Sequence, residues 1–347
     1  MIESLAISSL VCFVTAWIVN SLLLSLLIFR PPAQLYSFKG ITAAFIAFDL
    51  IFSLAYAIIV PLWHSMGDGF TMLIPVGFTS TLPPAAFLAR LIRPSFAVWH
   101  AGMMSTSFLV AGTFIYRYAI ICNKVGVRRF FKRPSIIIII CLSACCCLAH
   151  GIIPNFVLSA NHKLTDLANE QWSAFYGLNF SMTYFQGVDL LDPDDSLRIF
   201  ASFAISGVFQ VSFFILIIIV FYTGRAIQLA IRYSTTSRRL RELQQQTFRM
   251  LVFQAISPTL FLYIPPVIDA ASVMFGFQLP FSVCIAKAVL VFLFPIANPL
   301  VIIAFTKEYR SIILRKSSYR KTTSAIPSIT AKAWPSFTVG AGYIAYK

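Results

Sequence analysis

The chain has 347 residues, 59% of them apolar and 11% charged, with a formal net charge of +15. Soluble domains carry about 25% charged residues, so a soluble enzyme or binding domain is excluded and a chain that crosses the membrane several times is expected. The basic residues sit in short loops between apolar runs, which argues against a nucleic-acid partner and for topology signals and anionic lipid.

A membrane span needs about 20 apolar residues. Seven runs qualify: Leu5–Phe29, Gly40–Trp63, Ser95–Cys122, Ser135–Ser159, Arg198–Tyr222, Thr247–Phe275 and Pro280–Phe305. They are too long for barrel strands, and unpaired backbone groups cannot face lipid, so each is read as a helix in an all-α bundle. The first run is too long for a signal-peptide core and is read as a span. Between the second and third, Gly67–Pro94 carries Pro75, Pro83, Pro84, Gly67, Gly69 and Gly77. That density of breakers predicts an external loop that touches the membrane.

The loops orient the bundle. The first holds Arg30 and Lys39, and the third holds Lys124, Arg128, Arg129, Lys132 and Arg133. The fifth holds five arginines between Arg225 and Arg241, and the tail holds Lys307, Arg310, Arg315 and Lys316. The fourth, from Ala160 to Leu197, is acidic. Basic loops stay in the cytosol, which puts the N-terminus outside and the C-terminus inside. The sequon Asn179-Phe180-Ser181 falls in the loop expected outside, so Asn179 is the candidate glycosylation site. Residues 1–316 form the bundle, closing with a short amphipathic helix whose apolar face is Phe305, Tyr309, Ile312 and Ile313. Residues 317–347 form a Ser/Thr-rich cytoplasmic tail expected to be disordered.

Several side chains stand out against this background. Arg117 lies just inside the end of the third span, between Tyr116 and Tyr118. An ionisable group there is either functional or an anchor snorkelling to headgroups. Asn20, Asp49 and Asn298 sit deep in the first, second and seventh spans, either as one buried network or as separate packing contacts. Pro258, Pro265 and Pro299 each remove a helix hydrogen bond and predict kinks. Trp99, His100 and Met104 in the third span, Asp269 in the sixth and Lys287 in the seventh are candidates for a ligand pocket in the outer half of the bundle. Asp269 and Lys287 fall at similar depth on neighbouring helices, where they either pair or snorkel separately. The seven cysteines all lie in or beside spans, without the spacing of a disulfide framework or a metal site. No catalytic constellation and no cofactor motif occur.

The FIYRY that closes the third span resembles the arginine motif of seven-helix G-protein-coupled receptors. QTFRMLVFQAISP in the sixth span and FPIANPLVIIAFTKEYR in the seventh are similar to the nematode serpentine chemoreceptors of the Str superfamily. The second-span stretch YSFKGITAAFIAFD leans toward the class delta subgroup. The resemblance implies a rhodopsin-like bundle and a chemosensory receptor for an extracellular small molecule such as an odorant or pheromone. It implies a heterotrimeric G protein as partner, met by Arg117, Tyr116, Tyr118, Arg128 and Arg129, and placement in the plasma membrane of a sensory cilium. It also implies that Asn20, Asp49 and Asn298-Pro299 form one polar network. Ile302 stands where the Tyr of the seventh-span motif is expected, and neither the acidic loop nor the start of the third span has a Cys. The disulfide that pins this loop in rhodopsin-like receptors therefore cannot form. Lys287 is not at the retinal-lysine position. The alternative class is a ligand-gated channel subunit or a small transporter. Odorant channels of that kind keep the N-terminus in the cytosol, opposite to the charge pattern.

Overall fold

The computed structural model describes residues 2–32, 39–65, 69–77, 89–122, 124, 126–127, 133–235 and 237–314. Seven of its helices are long and apolar enough to cross a bilayer, as the sequence predicts. They are Ile2–Phe29, Lys39–Ile59, Ile92–Ile121, Arg133–Val157, Ser196–Arg232, Arg238–Phe275 and Phe281–Phe305, called here the first to seventh spans. The third span is the hub, packed on the second, fourth and fifth, while the first packs on the second and seventh.

One end of the bundle is covered by a three-stranded antiparallel sheet that sequence reading did not find. Strand β1 is Pro61–Ser65, β2 is Phe70–Pro75 and β3 is Gln186–Asp189. β1 pairs with β2 from Pro61 opposite Pro75, and β2 pairs with β3 from Phe70 opposite Asp189. The sheet draws the second-span exit and the segment before the fifth span together without any disulfide.

The second span stops at Ile59, short of the expected Trp63, which lies in β1. Val60 adopts φ 40°, left-handed for a β-branched residue, at a cost of about 1–2 kcal/mol. The following Pro61 also disfavours helix at this position. The amide of Val76 donates to the Val60 carbonyl at 3.2 Å and that of Gly77 to Ile59 at 3.1 Å, so the returning strand holds the turn in place. The stretch expected as a membrane-touching loop is thus partly an ordered hairpin, with every residue of β2 buried. The third span begins at Ile92, three residues before the expected Ser95.

The acidic loop is also structured. A helix spans His162–Tyr176, started by Asn161, whose side chain accepts from the Leu164 amide, and ended by Gly177 in the left-handed region at φ 65°. The fifth and sixth spans run beyond the expected Tyr222 and Thr247, reaching Arg232 and starting at Arg238. Charged turns here continue the helices outside the apolar stretch. The short helix after the seventh span is Lys307–Ile313. Its Tyr309 is buried with Leu23, Leu27, Met250 and Ile302, while Ile312 and Ile313 stay exposed. The 317–347 tail lies outside the described residues.

The three prolines act differently. Between Pro258 and the Pro265-Pro266 pair, none of which supplies an amide donor, the sixth span opens into a π-turn, Thr259–Tyr263, where the Ile264 amide donates to the Thr259 carbonyl. Pro299 leaves the carbonyl of Pro295 without its intrahelical donor. Asn20 of the first span supplies the replacement, its Nδ2 donating to Pro295 O at 2.8 Å.

Candidate functional site

Beneath the sheet lies a cavity of about 410 Å³. Trp99, His100 and Met103 of the third span, Asp269 of the sixth, Lys287 of the seventh and Trp63 of β1 are in its wall. Four of the five residues singled out for a pocket therefore meet around one space. Met104 is buried but is not in the wall, and Met103, one residue earlier, is.

Lys287 and Asp269 form an ion pair across the sixth and seventh spans, with side chains 6% and 13% exposed. A lone charge at that depth would be costly, and pairing removes much of the cost. The geometry is that of a pair, not of two side chains snorkelling apart. His100 is held from behind by a chain of hydrogen bonds. Its Nε2 meets Gln186 Oε1 of β3 at 3.1 Å, and Gln186 Nε2 donates to Asn155 Oδ1 at 2.9 Å. Tyr184 donates to the same oxygen at 2.8 Å. With the amides so oriented, His100 Nε2 is the protonated nitrogen. His150 of the fourth span stands edge-on to His100 with centroids 6.0 Å apart and stacks on Phe209. On the side away from the sheet, Tyr263 at the end of the π-turn bonds Ser107 at 2.5 Å and stacks on Phe213 at 4.6 Å. Trp63 Nε1, Trp99 Nε1 and Gln210 Nε2 are buried donors with no hydrogen-bond partner. All three belong to wall residues.

The lid over the cavity is clamped by aromatic rings. His64 of β1 hydrogen-bonds the Tyr176 hydroxyl and packs edge-on to Trp172, with Phe281 beside it. Burial, with the charge of Lys287 beneath, pushes the His64 imidazole down from 6.5 to about 4. Burial pushes the Tyr176 hydroxyl up, so it stays protonated and donates to a neutral His64.

At the opposite end, Arg117 is only 3% exposed, turned into the bundle and away from headgroups. Tyr118 packs edge-on to Tyr222 of the fifth span with centroids 6.3 Å apart, and Tyr116 is half-buried. Arg128 and Arg129 lie outside the described residues.

These features have counterparts in known proteins. A model of the serpentine seven-transmembrane G-protein-coupled chemoreceptors of the Str type matches residues 5–314. The chain belongs to the Str family. It is 24% identical to serpentine receptor class r-10 of Caenorhabditis briggsae over 91% of both chains. It is 24% identical to the Caenorhabditis elegans protein of that name over 85% of both. It is 28% identical to G-protein coupled receptor str-217 of Caenorhabditis elegans over 84% of this chain and 83% of that one. These relatives carry class r and str designations, whereas the lean toward class delta rested on second-span residues alone.

The Str chain is therefore a multi-pass membrane receptor of the G-protein-coupled type. Its deep polar residues are connected in a way sequence spacing does not reveal. Asn298 Nδ2 donates to Asp49 Oδ2 at 2.7 Å, joining the second and seventh spans. Asn20 reaches the seventh span through the Pro295 carbonyl and also donates to Ala16 O at 2.9 Å. Both asparagines thus fasten the seventh span, one to a carboxylate and one at the gap that Pro299 leaves. Asn179 is exposed in the turn after the His162–Tyr176 helix, its Oδ1 accepting from the Ser181 amide at 3.0 Å. Among the described residues, no three His, Cys, Asp or Glu side chains gather as a metal site would require.

Sequence reasoning passed over His64, His150, Gln186 and Gln210. His64 and Gln186 lie in strands that gave no alternating pattern, and His150 and Gln210 lie on helical spans among apolar residues. His64 comes three residues after Pro61, and that break was the available signal for it.

Proposed function

We propose that this Str-family receptor turns its sheet end outward and takes a small-molecule ligand in the cavity under the sheet. From its opposite end it then activates a heterotrimeric G protein. The observation that carries this reading is the position of the cavity against the sixth span. Pro265, Pro266 and Asp269 in its wall belong to the short helical segment just beyond the π-turn. A ligand that pushes on this segment, or competes for Lys287, acts at a point where the helix already lacks regular hydrogen bonds. The longer Arg238–Pro258 segment then moves about that turn and changes the face it shows beside Arg117. The ligand biases a two-state bundle, and only its differential contacts with the two states do so. Basic third- and fifth-loop residues, Arg128 and Arg129 among them, complete the surface for the G protein. The basic loops support the outward sheet end, as does the exposed Asn179 sequon on it. The proposal includes placement in a sensory ciliary membrane of a nematode neuron, which the chemoreceptor family supports.

The test uses transfected cells carrying an N-terminal tag. Tag antibody should stain intact cells, and a panel of odorants and pheromones should yield a second-messenger response. Arg117→Ala should reach the surface and stay silent, with Arg117→Lys intermediate because Lys keeps the charge but loses the planar fork of donors. A full response from surface-expressed Arg117→Ala would remove Arg117 from the coupling role.

A further inference from the structure

We infer that the cavity opens sideways onto lipid between the fifth and sixth spans and receives its ligand from the bilayer, which makes that ligand a lipophilic small molecule. This rests on the reading of the cavity as the ligand site and adds the route and the chemical class.

Among the described residues, the sheet closes that end of the cavity. All six residues of β2 are buried, and Thr71 and Leu73 of that strand are part of the cavity wall. β1 and β3 flank β2, and the His162–Tyr176 helix is clamped to β1 through His64 and Tyr176. A solute arriving from water would have to part hydrogen-bonded strands.

The side is open. Phe203, Val211 and Phe214 of the fifth span belong to the cavity wall yet are 51%, 57% and 59% exposed. Met274 of the sixth span is in the same wall and is 74% exposed. A side chain that is both wall and outer surface marks a gap. Gly207, on the same stripe one turn from Phe203, would place a Cβ with nothing within 4 Å. The fifth span packs on the third and on the Arg238–Pro258 half of the sixth. The Ile264–Phe275 half packs instead on β1 and the seventh span, where Asp269 meets Lys287. The π-turn and the ion pair together draw this half away from the fifth span and leave the seam.

The seam faces the hydrocarbon belt of a spanning bundle, so what passes through it must first dissolve in lipid. Each methylene favours that phase, which concentrates an apolar ligand at the opening. Behind the seam, Met103 and Val291 line the interior.

The probe is decanol carrying a mid-chain diazirine, photolysed with the full receptor in lipid nanodiscs and mapped by mass spectrometry. Labelling of Phe203 or Phe214 is expected from lipid exposure alone and decides nothing, so the readout is Met103 and Val291 relative to Ile18 on the outer face of the first span. The account expects labelling at both interior residues, reduced about tenfold in Gly207→Trp, with Ile18 unchanged. Ala270→Trp, across the seam, is the second variant should the first not purify. Absence of interior labelling in the wild type would overturn the proposal. So would labelling that neither variant reduces, or stronger interior labelling by a charged, membrane-impermeant diazirine. None of these results bears on G-protein coupling, which the Arg117 experiment tests separately.

Discussion

The two ends of the bundle are held by different means. At the sheet end, chain outside the helices is folded over them: three strands, a capped helix and an aromatic cluster around His64 tie the second, third, fifth and seventh spans together. At the opposite end the contacts among the described residues run from helix to helix. Tyr309, Met250, Leu23 and Ile302 pack there, and Gln246 donates to the last carbonyl of the seventh span at Phe305. Strand hydrogen bonds fix register, whereas packed helix surfaces can slide by small shear steps. The contrast teaches that one end is built to hold a cavity in shape and the other to rearrange.

The largest effect that would sharpen this contrast is expected at the Asp269–Lys287 pair, where the fixed end meets the kinked span. Asp269→Ala or Lys287→Ala strands a buried charge, a loss of about 3–5 kcal/mol. Surface expression and thermal stability in detergent should both fall. The swap Asp269→Lys with Lys287→Asp should recover part of the loss, and single effects that merely add would show that the residues do not interact.

Next in size is a comparison of two glycines. A Cβ at Gly151 would lie 2.5 Å from the Ala97 carbonyl oxygen and 2.9 Å from the Ala101 Cβ, so Gly151→Leu must part the third and fourth spans near the sheet. Overpacking of this kind costs about 1–3 kcal/mol. Gly112, nearer the opposite end of the third span, faces nothing within 4 Å. Gly112→Ala should be neutral or stabilising through helix propensity, by up to about 1 kcal/mol. Equal melting temperatures for the two variants would break the contrast.

A smaller effect concerns pH. His64 is neutral when folded, with its pKa held near 4 against 6.5 when free. Between those values the unfolded chain binds a proton that the folded lid refuses, so stability rises with pH across this window and is lost as pH falls through it. Melting curves from pH 7 to about 4 should show this loss in the wild type, and a shallower one in His64→Phe. An unchanged slope in the variant would remove His64 as the source.

The smallest effect is expected at Asn179. Glycosidase treatment should shift the mobility of the protein made in eukaryotic cells, Asn179→Gln should abolish the shift, and folding should be little affected. A surface-expressed protein with no shift would count against the outward sheet end.

The spans were legible because hydrocarbon demands long apolar runs; the similar depth of Asp269 and Lys287 was legible too, but it left pairing and separate snorkelling open until the ion pair was seen. The sheet was not. β2 is buried on both faces, so Phe70–Pro75 shows no alternation, and Gly and Pro on either side made it resemble a loop. The His162–Tyr176 helix, capped by Asn161 and Gly177, was hidden by its polar composition among acidic residues. Asn20 was grouped with Asp49 and Asn298 by depth, yet its partner is a backbone carbonyl. Only Pro299, four residues after Pro295, hinted at that orphan acceptor.

The most direct test of a ligand site under the sheet fills the cavity. Ala288 is buried in its wall, next to Lys287. Compounds that raise second messenger in cells expressing the wild type should be re-run on Ala288→Trp at matched surface expression. The account predicts that the response to a wild-type agonist is lost or shifted to at least about tenfold higher concentration. An unshifted response through the filled cavity would place the ligand elsewhere and contradict the account.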